Sequence, residues 1–321
     1  MDSTSLFIGD VLDAYAKWST PTTIISDGAY GVGGFPGDPR TVNALPEWYR
    51  PHIAAWSAAA APATTLWFWG TELSWATVHP ELDKNGWEYI QTVIWDKGVG
   101  HLAGKINSNT IRTFPVVTEV CAFYRRRFSQ GKLTAQEWLR EEWSRSGLPL
   151  KLSNDACGVT NAASRKYLTK DSMWYFPPGD MIERMAAYCN TNGKPENRPY
   201  FAIGETDKKR MKSVTADEWD ALRYRWTHLH GVTNVWSRPP LRGKERFTNG
   251  SKSVHLNQKP IEFMERIISA VTEPGDTVWE PFGGLCTASV AASRMGRRAF
   301  CAEANPYYAS LAKKRIAQDS S

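Results

Sequence analysis

The sequence predicts an α/β protein: a mostly parallel, twisted sheet with helices on both faces, interrupted by an inserted region. Three observations carry this. Runs rich in β-branched and aromatic residues alternate with helical patterns through residues 6–125 and again after 253. Near the C-terminus a strand, a glycine turn, a helix and a second strand follow in βαβ order. Between these blocks the alternation lapses into polar, Lys/Arg/Asn-rich sequence with aromatics and proline.

Composition bounds the rest. The chain has 321 residues, 42% of them hydrophobic, enough for one large domain with an insertion or for two domains. Net charge is +6, compatible with an anionic partner. No run approaches the length of a membrane-spanning helix. The first residues lack the basic and apolar stretches of a signal peptide, so the cytoplasm is expected. Five scattered cysteines without a C-x-x-C pair predict reduced thiols and no metal site.

Leu6-Phe7-Ile8 reads as a short strand closing at Gly9-Asp10, and residues 11–18 as a short helix. Thr22-Thr23-Ile24-Ile25 is a β-branched strand ending at Ser26-Asp27-Gly28-Ala29-Tyr30, before the glycine-rich loop 31–37. Residues 45–60 form a helix with Trp48, His52, Ala55 and Trp56 on one face. A buried strand follows at 64–69, a helix at 73–85 and strands at 87–95 and 116–124. Pro260 sits at a favoured first position for the helix 261–271. Pro274-Gly275 turns the chain into Val278-Trp279-Glu280, then Pro281-Phe282-Gly283-Gly284 and a helix from Thr287. A second strand, 299–302, ends in Glu303.

Two stretches carry chemistry. Gly283 and Gly284 let a ligand approach the backbone, and an acid after the second strand suits ribose hydroxyls. The strict G-x-G-x-x-G is absent, and an ordinary βα turn explains this stretch alone equally well. Glu280 would repel a pyrophosphate at the helix N-terminus but would suit a cationic ligand such as a sulfonium. At a strand end, Asp27 can accept a hydrogen bond from an exocyclic amine and Tyr30 can stack on a flat base. A simple Asp-Gly turn with a packing tyrosine is the plainer reading of that segment.

Taken together, the pieces resemble a known family. His255-Leu256-Asn257-Gln258-Lys259-Pro260, then Pro274-Gly275-Asp276, Glu280-Pro281-Phe282-Gly283-Gly284 and Thr287, then Gly296-Arg297-Arg298 and Glu303 with Tyr307 resemble the C-terminal pattern of DNA amino-methyltransferases. An Asp-x-x-Tyr loop placed first resembles the permuted β-class arrangement of restriction-modification systems. The resemblance spans residues 6–125 and 231–321. It implies a Rossmann-like methyltransferase fold and S-adenosylmethionine as cofactor. Duplex DNA is the implied partner, with a second copy of the chain and a cognate restriction endonuclease as candidate partners. It divides the chain into a catalytic half at 1–128, a target-recognition region at 129–230 and a cofactor-binding half at 231–321.

Carried over by position, the resemblance makes Asp27, Gly28 and Tyr30 catalytic. It gives Phe282, Gly283 and Gly284 to the methionine-binding turn behind Glu280, and counts Glu280 and Thr287 with them as cofactor-binding residues. Glu303 would bind ribose and Asp10 the cofactor adenine, while His255 and Lys259 would border the cofactor pocket. Arg165, Lys166, Lys208, Lys209, Arg210 and Arg223 are the DNA-contact candidates, beside aromatics such as Tyr167, Trp174 and Tyr224.

The chain departs from the pattern at three places. Gly28 and Ala29 replace two prolines, Glu280 replaces Asp, and Leu285-Cys286 replaces Ser-Gly. Trp174-Tyr175-Phe176-Pro177-Pro178 contains Pro-Pro but lacks a preceding acid, so it is not the catalytic loop. Three readings follow: a DNA amino-methyltransferase, an impaired DNA-binding relative, or an S-adenosylmethionine enzyme acting on RNA or protein. Within the first, Asp27 favours adenine N6 over cytosine N4, whose enzymes more often carry Ser there.

Overall fold

Ile24, Leu66 and Phe68 turn to one face of a central sheet, and Ile25, Trp67 and Trp69 to the other, all buried. A strand buried on both faces needs helices on both sides, and that requirement organises the molecule. The structure, a computed structural model, describes residues 4–35, 37–101, 110–128, 130–203, 212–249, 252–253 and 258–319. The chain divides into two units, Met1–Arg126 with Tyr224–Ser321, and Arg127–Arg223.

The first unit holds the sheet: β1 (Thr4–Ile8), β2 (Thr23–Ser26), β3 (Thr65–Gly70), β4 (Trp87–Asp96), β5 (Thr118–Arg126), β6 (Val235–Ser237), β7 (Thr277–Glu280) and β8 (Arg298–Glu303). Their order is β1-β8-β7-β2-β3-β5-β4-β6. All neighbours are parallel except β5, which runs antiparallel to β3 and β4.

Helices α1 (Leu45–Ala59) and α2 (Glu72–Lys84) cover one face through Leu45, Tyr49, Ile53, Trp56, Val78 and Leu82. The other face is covered by α7 (Ile261–Val271) and α8 (Thr287–Arg294), through Phe263, Met264, Ile267, Ile268, Ala288, Ala291 and Ala292. Between α2 and α7 in sequence, α3 (Ala135–Arg145), α4 (Leu152–Cys157), α5 (Gly179–Asn192) and α6 (Ala216–Asp220) belong to the second unit. The connection from β2 to β3 moves one way along the sheet, and that from β7 to β8 the other. The strand order therefore reverses between β2 and β7, where open α/β sheets bind ligands.

Three features differ from the sequence reading. Residues 11–18 form two 3-10 turns, Val11–Asp13 and Tyr15–Lys17, instead of one helix. The Asp10 carboxylate accepts the Leu12 N–H, and Tyr15 and Trp18 pack on Trp279, which favours tight turns over a longer α-helix. A terminal helix α9 (Pro306–Asp319), not anticipated, buries Ala309, Leu311 and Ala312. Tyr224 and Trp226, expected in the inserted region, pack on Phe123, and Thr227 N–H bonds the Ala270 carbonyl at 2.7 Å, so they belong with the sheet.

The second unit is helical, built on α3, α4, α5 and α6. Trp138 and Trp219 stack at its centre with Phe201, Ile182 and Met185. Capping boxes at Thr134/Glu137 and Thr215/Glu218 start α3 and α6. Glu142, 2% exposed, is held by Arg145, Arg198 and the Phe201 N–H.

Candidate active site

Four carboxylates stand at the carboxyl ends of four adjacent parallel strands. Glu280 and Glu303 end β7 and β8, while Asp27 follows β2 and Asp10 lies just beyond β1. Parallel pairing brings these ends to one edge of the sheet, where they border a cavity of about 830 Å³. Every residue assigned above to the base or the cofactor lines it except His255, which lies outside the described residues.

Asp27 is the most connected of the four. The Tyr30 hydroxyl donates to its Oδ1 at 2.8 Å. The Lys259 ammonium donates to Oδ1 at 2.8 Å, to Oδ2 at 2.9 Å and to the Tyr30 hydroxyl at 3.0 Å. Lys259 also lies 3.3 Å from Glu119 on β5, and Lys97 pairs with the same carboxylate. Lys259 is 3% exposed. Burial alone would lower its pKa, but the Asp27 and Glu119 carboxylates reverse that and push it up to about 12. Burial would raise Glu119, yet Lys259 and Lys97 hold it below the usual carboxylate range. Tyr30 is driven well above the ordinary phenol range, by burial first and by Asp27 and Glu119 next. The ensemble sets the Asp27 carboxylate beside a phenol that stays neutral. Lys259 was expected beside the cofactor; it lines the cavity, but its ammonium serves Asp27.

The glycine turn is held from both strands. Glu303 accepts the Gly284 N–H at 2.8 Å and the Asn305 N–H at 2.7 Å, and burial raises its pKa. Glu280 accepts the N–H groups of Ala288 and Ser289 and the Ser289 hydroxyl, so its carboxylate caps the start of α8. Burial pushes Glu280 up to about 7 against those bonds. The Thr287 hydroxyl accepts from Arg315 at 2.9 Å.

The departures from the family pattern have structural counterparts. A Cβ on Gly28 would lie 2.6 Å from a Phe282 ring carbon and 2.7 Å from the Tyr49 hydroxyl. Tyr49 donates to the Ala29 carbonyl at 3.0 Å, so the ring atoms fill the space that a proline would need. Cys286 has φ +52°, a left-handed backbone that suits the glycine it replaces. Ser26 is fully buried and does not line the cavity, whereas Asp27 does.

Some residues of the site escaped the sequence reading. Trp48 and His52 of α1 form an aromatic wall with Phe282, with ring centroids 5.3 and 5.0 Å from that ring. Their helical spacing signalled a packing face and nothing more. Burial lowers His52 to about 4, so it is neutral near pH 7. Glu119 and Asp38 gave no signal at all.

In the second unit, Arg165 and Lys166 are exposed. Arg223 pairs with Asp220 at 3.2 Å and lies over the Phe176 ring. Lys208, Lys209 and Arg210 lie outside the described residues. Tyr167, grouped with the DNA candidates, belongs to the unit's core cluster, and Trp174 packs against it. Aromatics beside basic residues serve packing here.

A sheet of this order, with a ligand cavity where the strand order reverses, is the Rossmann-like methyltransferase fold. Solved structures share it: the M1.HpyAVI–SAM complex (TM-score 0.51, 15% identity, 98% of each chain) and the cytosine-N4-specific PvuII DNA methyltransferase (TM-score 0.52, 11% identity, 99% of this chain and 90% of that one). The N6/N4 family model described as DNA methylase matches residues 22–314, and the chain belongs to that family. Two relatives match over shorter segments. The type II methyltransferase M2.DpnII of Streptococcus pneumoniae is 44% identical over 62 residues, 19% of this chain. The type II methyltransferase M.HinfI of Haemophilus influenzae is 33% identical over 84 residues, 26% of this chain. Each match spans 23% of the relative's length.

Proposed function

We propose that the chain transfers a methyl group from S-adenosylmethionine to an exocyclic amine of a DNA base, with adenine N6 favoured. The observation that carries this reading is the adjacency of β2 and β7. The Asp27 loop and the Gly283-Gly284 turn leave paired strands into one cavity.

The lining fits the cofactor's charge. Asp10, Asp27, Glu47, Glu280 and Glu303 face one lysine among the described lining residues, while the Asp38 carboxylate is turned to backbone donors. That balance disfavours a pyrophosphate and suits a sulfonium that also carries an ammonium. Phe282, Gly283 and Gly284 would hold the methionine end, Glu303 the ribose and Asp10 the adenine. When bound, S-adenosylmethionine supplies a methyl group already activated by its sulfonium.

The chain's own task is to position a weak nucleophile. An exocyclic amine has its lone pair delocalised into the ring. Hydrogen bonds from its two N–H groups to the Asp27 carboxylate and the Gly28 carbonyl would favour sp³ character. Lys259 holds both oxygens of the Asp27 carboxylate, so that the acceptor is fixed in place and preorganised. The Tyr30 ring would stack on the base, which must leave the duplex to reach the cavity. Positioning supplies much of the acceleration, and no covalent intermediate is needed.

Asp27 rather than Ser26 lining the cavity supports adenine N6 over cytosine N4. In this reading the second unit contacts duplex DNA and selects the target. A cognate restriction endonuclease and a second copy of the chain are further partners, and the cytoplasm is the compartment. Base-resolved methylation mapping of DNA from cells expressing the protein tests the proposal. It predicts N6-methyladenine at one recurring sequence. N4-methylcytosine there would move the substrate to cytosine, and unmodified DNA would contradict the activity.

A further inference from the structure

Asp38 stands eight residues beyond Tyr30 and is 8% exposed. Its Oδ1 accepts the N–H groups of Gly31 at 2.9 Å and Tyr30 at 3.2 Å. Its Oδ2 accepts those of Gly34 at 2.8 Å and Val32 at 3.3 Å. One carboxylate thus gathers four backbone donors from the loop that walls the cavity beside Asp27. The loop closes on itself again where Gly33 N–H bonds the Pro39 carbonyl at 3.0 Å. Gly31, at φ +75°, lies so near Val42 that a Cβ would fall 2.8 Å from its Cα.

This arrangement answers a question that the sequence raises. Gly28 and Ala29 lack the ring-imposed stiffness of two prolines, and Gly31, Gly33 and Gly34 add further backbone freedom. Tyr30 must nevertheless be held, because its hydroxyl meets both Asp27 and Lys259. We infer that Asp38 is a positioning residue for methyl transfer: its carboxylate fastens the Tyr30–Gly34 backbone and supplies the order that the missing prolines would have given. The inference rests on the methyltransferase reading above. A carboxylate suits this role because it only accepts hydrogen bonds, and all four partners are donors. An amide at the same place presents an NH₂ to two of them.

The test compares Asp38→Asn and Asp38→Ala with the wild type. Single-turnover methyl transfer to DNA, S-adenosylmethionine affinity by calorimetry, thermal midpoint and amide hydrogen exchange are measured together. Misplacing a reacting group by an ångström costs on the order of a hundredfold in rate. Both variants are therefore expected to lose about ten- to a hundredfold in the single-turnover rate. Gly31 and Gly34 amides exchange faster, while affinity and thermal midpoint stay near wild type. Asp38→Asn keeps the side-chain volume, so the test stands even if Asp38→Ala fails to fold. An unchanged rate with fast-exchanging Gly31 and Gly34 overturns the positioning role. A parallel fall of rate, affinity and midpoint also overturns it, because Asp38 would then be a general structural residue. Absence of methylated DNA from the wild type overturns the methyltransferase reading itself, and this inference with it.

Discussion

The Lys259 ammonium spans both carboxylate oxygens of Asp27, at 2.8 and 2.9 Å, across 232 positions of sequence. The side chains of Lys259, Asp27 and Glu119 are 3%, 27% and 15% exposed, so the cation is screened little by water. Removing it leaves the Asp27 carboxylate without its cation and Glu119 with Lys97 alone. Lys259→Met is predicted to lose about 3–5 kcal/mol of stability at pH 7. The sign of the pH dependence follows from Glu119, whose folded pKa lies below its unfolded value. Its contribution is present above the ordinary carboxylate pKa and is lost as pH falls through the depressed value. The deficit of Lys259→Met should therefore shrink on acidification. Urea unfolding of both proteins at pH 7 and at steps descending below the ordinary carboxylate pKa checks this, and a deficit that stays constant throughout would refute the ion-pair account.

Gly28 is required by its neighbours rather than by its own dihedral angles. Phe282 and Tyr49 occupy the volume of a side chain there. Gly28→Ala should displace Phe282, weaken S-adenosylmethionine binding by about tenfold and slow methyl transfer, since overpacking typically costs about 1–3 kcal/mol. Adding Phe282→Leu should recover part of the affinity. Calorimetry giving wild-type affinity for Gly28→Ala would show that the turn has slack.

Cys286 carries a left-handed backbone that costs a side-chain-bearing residue about 1–2 kcal/mol. Cys286→Gly relieves that strain, loses a buried thiol and adds freedom to the unfolded chain, so it should lie within about 1 kcal/mol of wild type. Cys286→Ala keeps the strain and loses the sulfur, so its thermal midpoint should be lower than that of Cys286→Gly. The reverse order in scanning calorimetry would contradict the strain.

Much of this site was legible locally. Asp10, Asp27, Glu280 and Glu303 each stand at or just beyond the end of a strand readable from its β-branched or aromatic residues. What was not legible depends on how the chain crosses over. Lys259 could not be matched to Asp27 from spacing, because parallel pairing of β2 and β7 brings them together. Trp48 and His52 read as a packing face, and they do pack, but against the cavity wall. Asp38 gave no periodic signal because its partners are backbone donors. Tyr224 and Trp226 looked like inserted sequence until their stacking on Phe123 assigned them to the sheet.

Glu280 supplies a pH signature. Its folded pKa, raised by burial to about 7, exceeds the unfolded value, so the protein binds a proton there that the unfolded chain does not. Stability from this group is fully present below the ordinary carboxylate pKa and is lost as pH rises through about 7. A bound cation favours the ionised form. S-adenosylmethionine affinity should therefore rise between pH 6 and 8, by up to about tenfold for each unit that the cation lowers this pKa. Binding near pH 7 should release protons. Calorimetry in buffers of different ionisation enthalpy measures both, and Glu280→Gln should abolish the pH dependence.

Methyl transfer at the Asp27 centre is tested most directly by nucleoside mass spectrometry of duplex DNA incubated with S-adenosylmethionine. Wild type and Asp27→Asn are compared, each with its cofactor affinity measured. Wild type should yield N6-methyldeoxyadenosine. Asp27→Asn should yield at least about a hundredfold less, the loss typical of removing one preorganised polar partner, with cofactor affinity nearly intact. Wild-type-like turnover in Asp27→Asn, or no methylated nucleoside from a wild type that binds the cofactor, would contradict it.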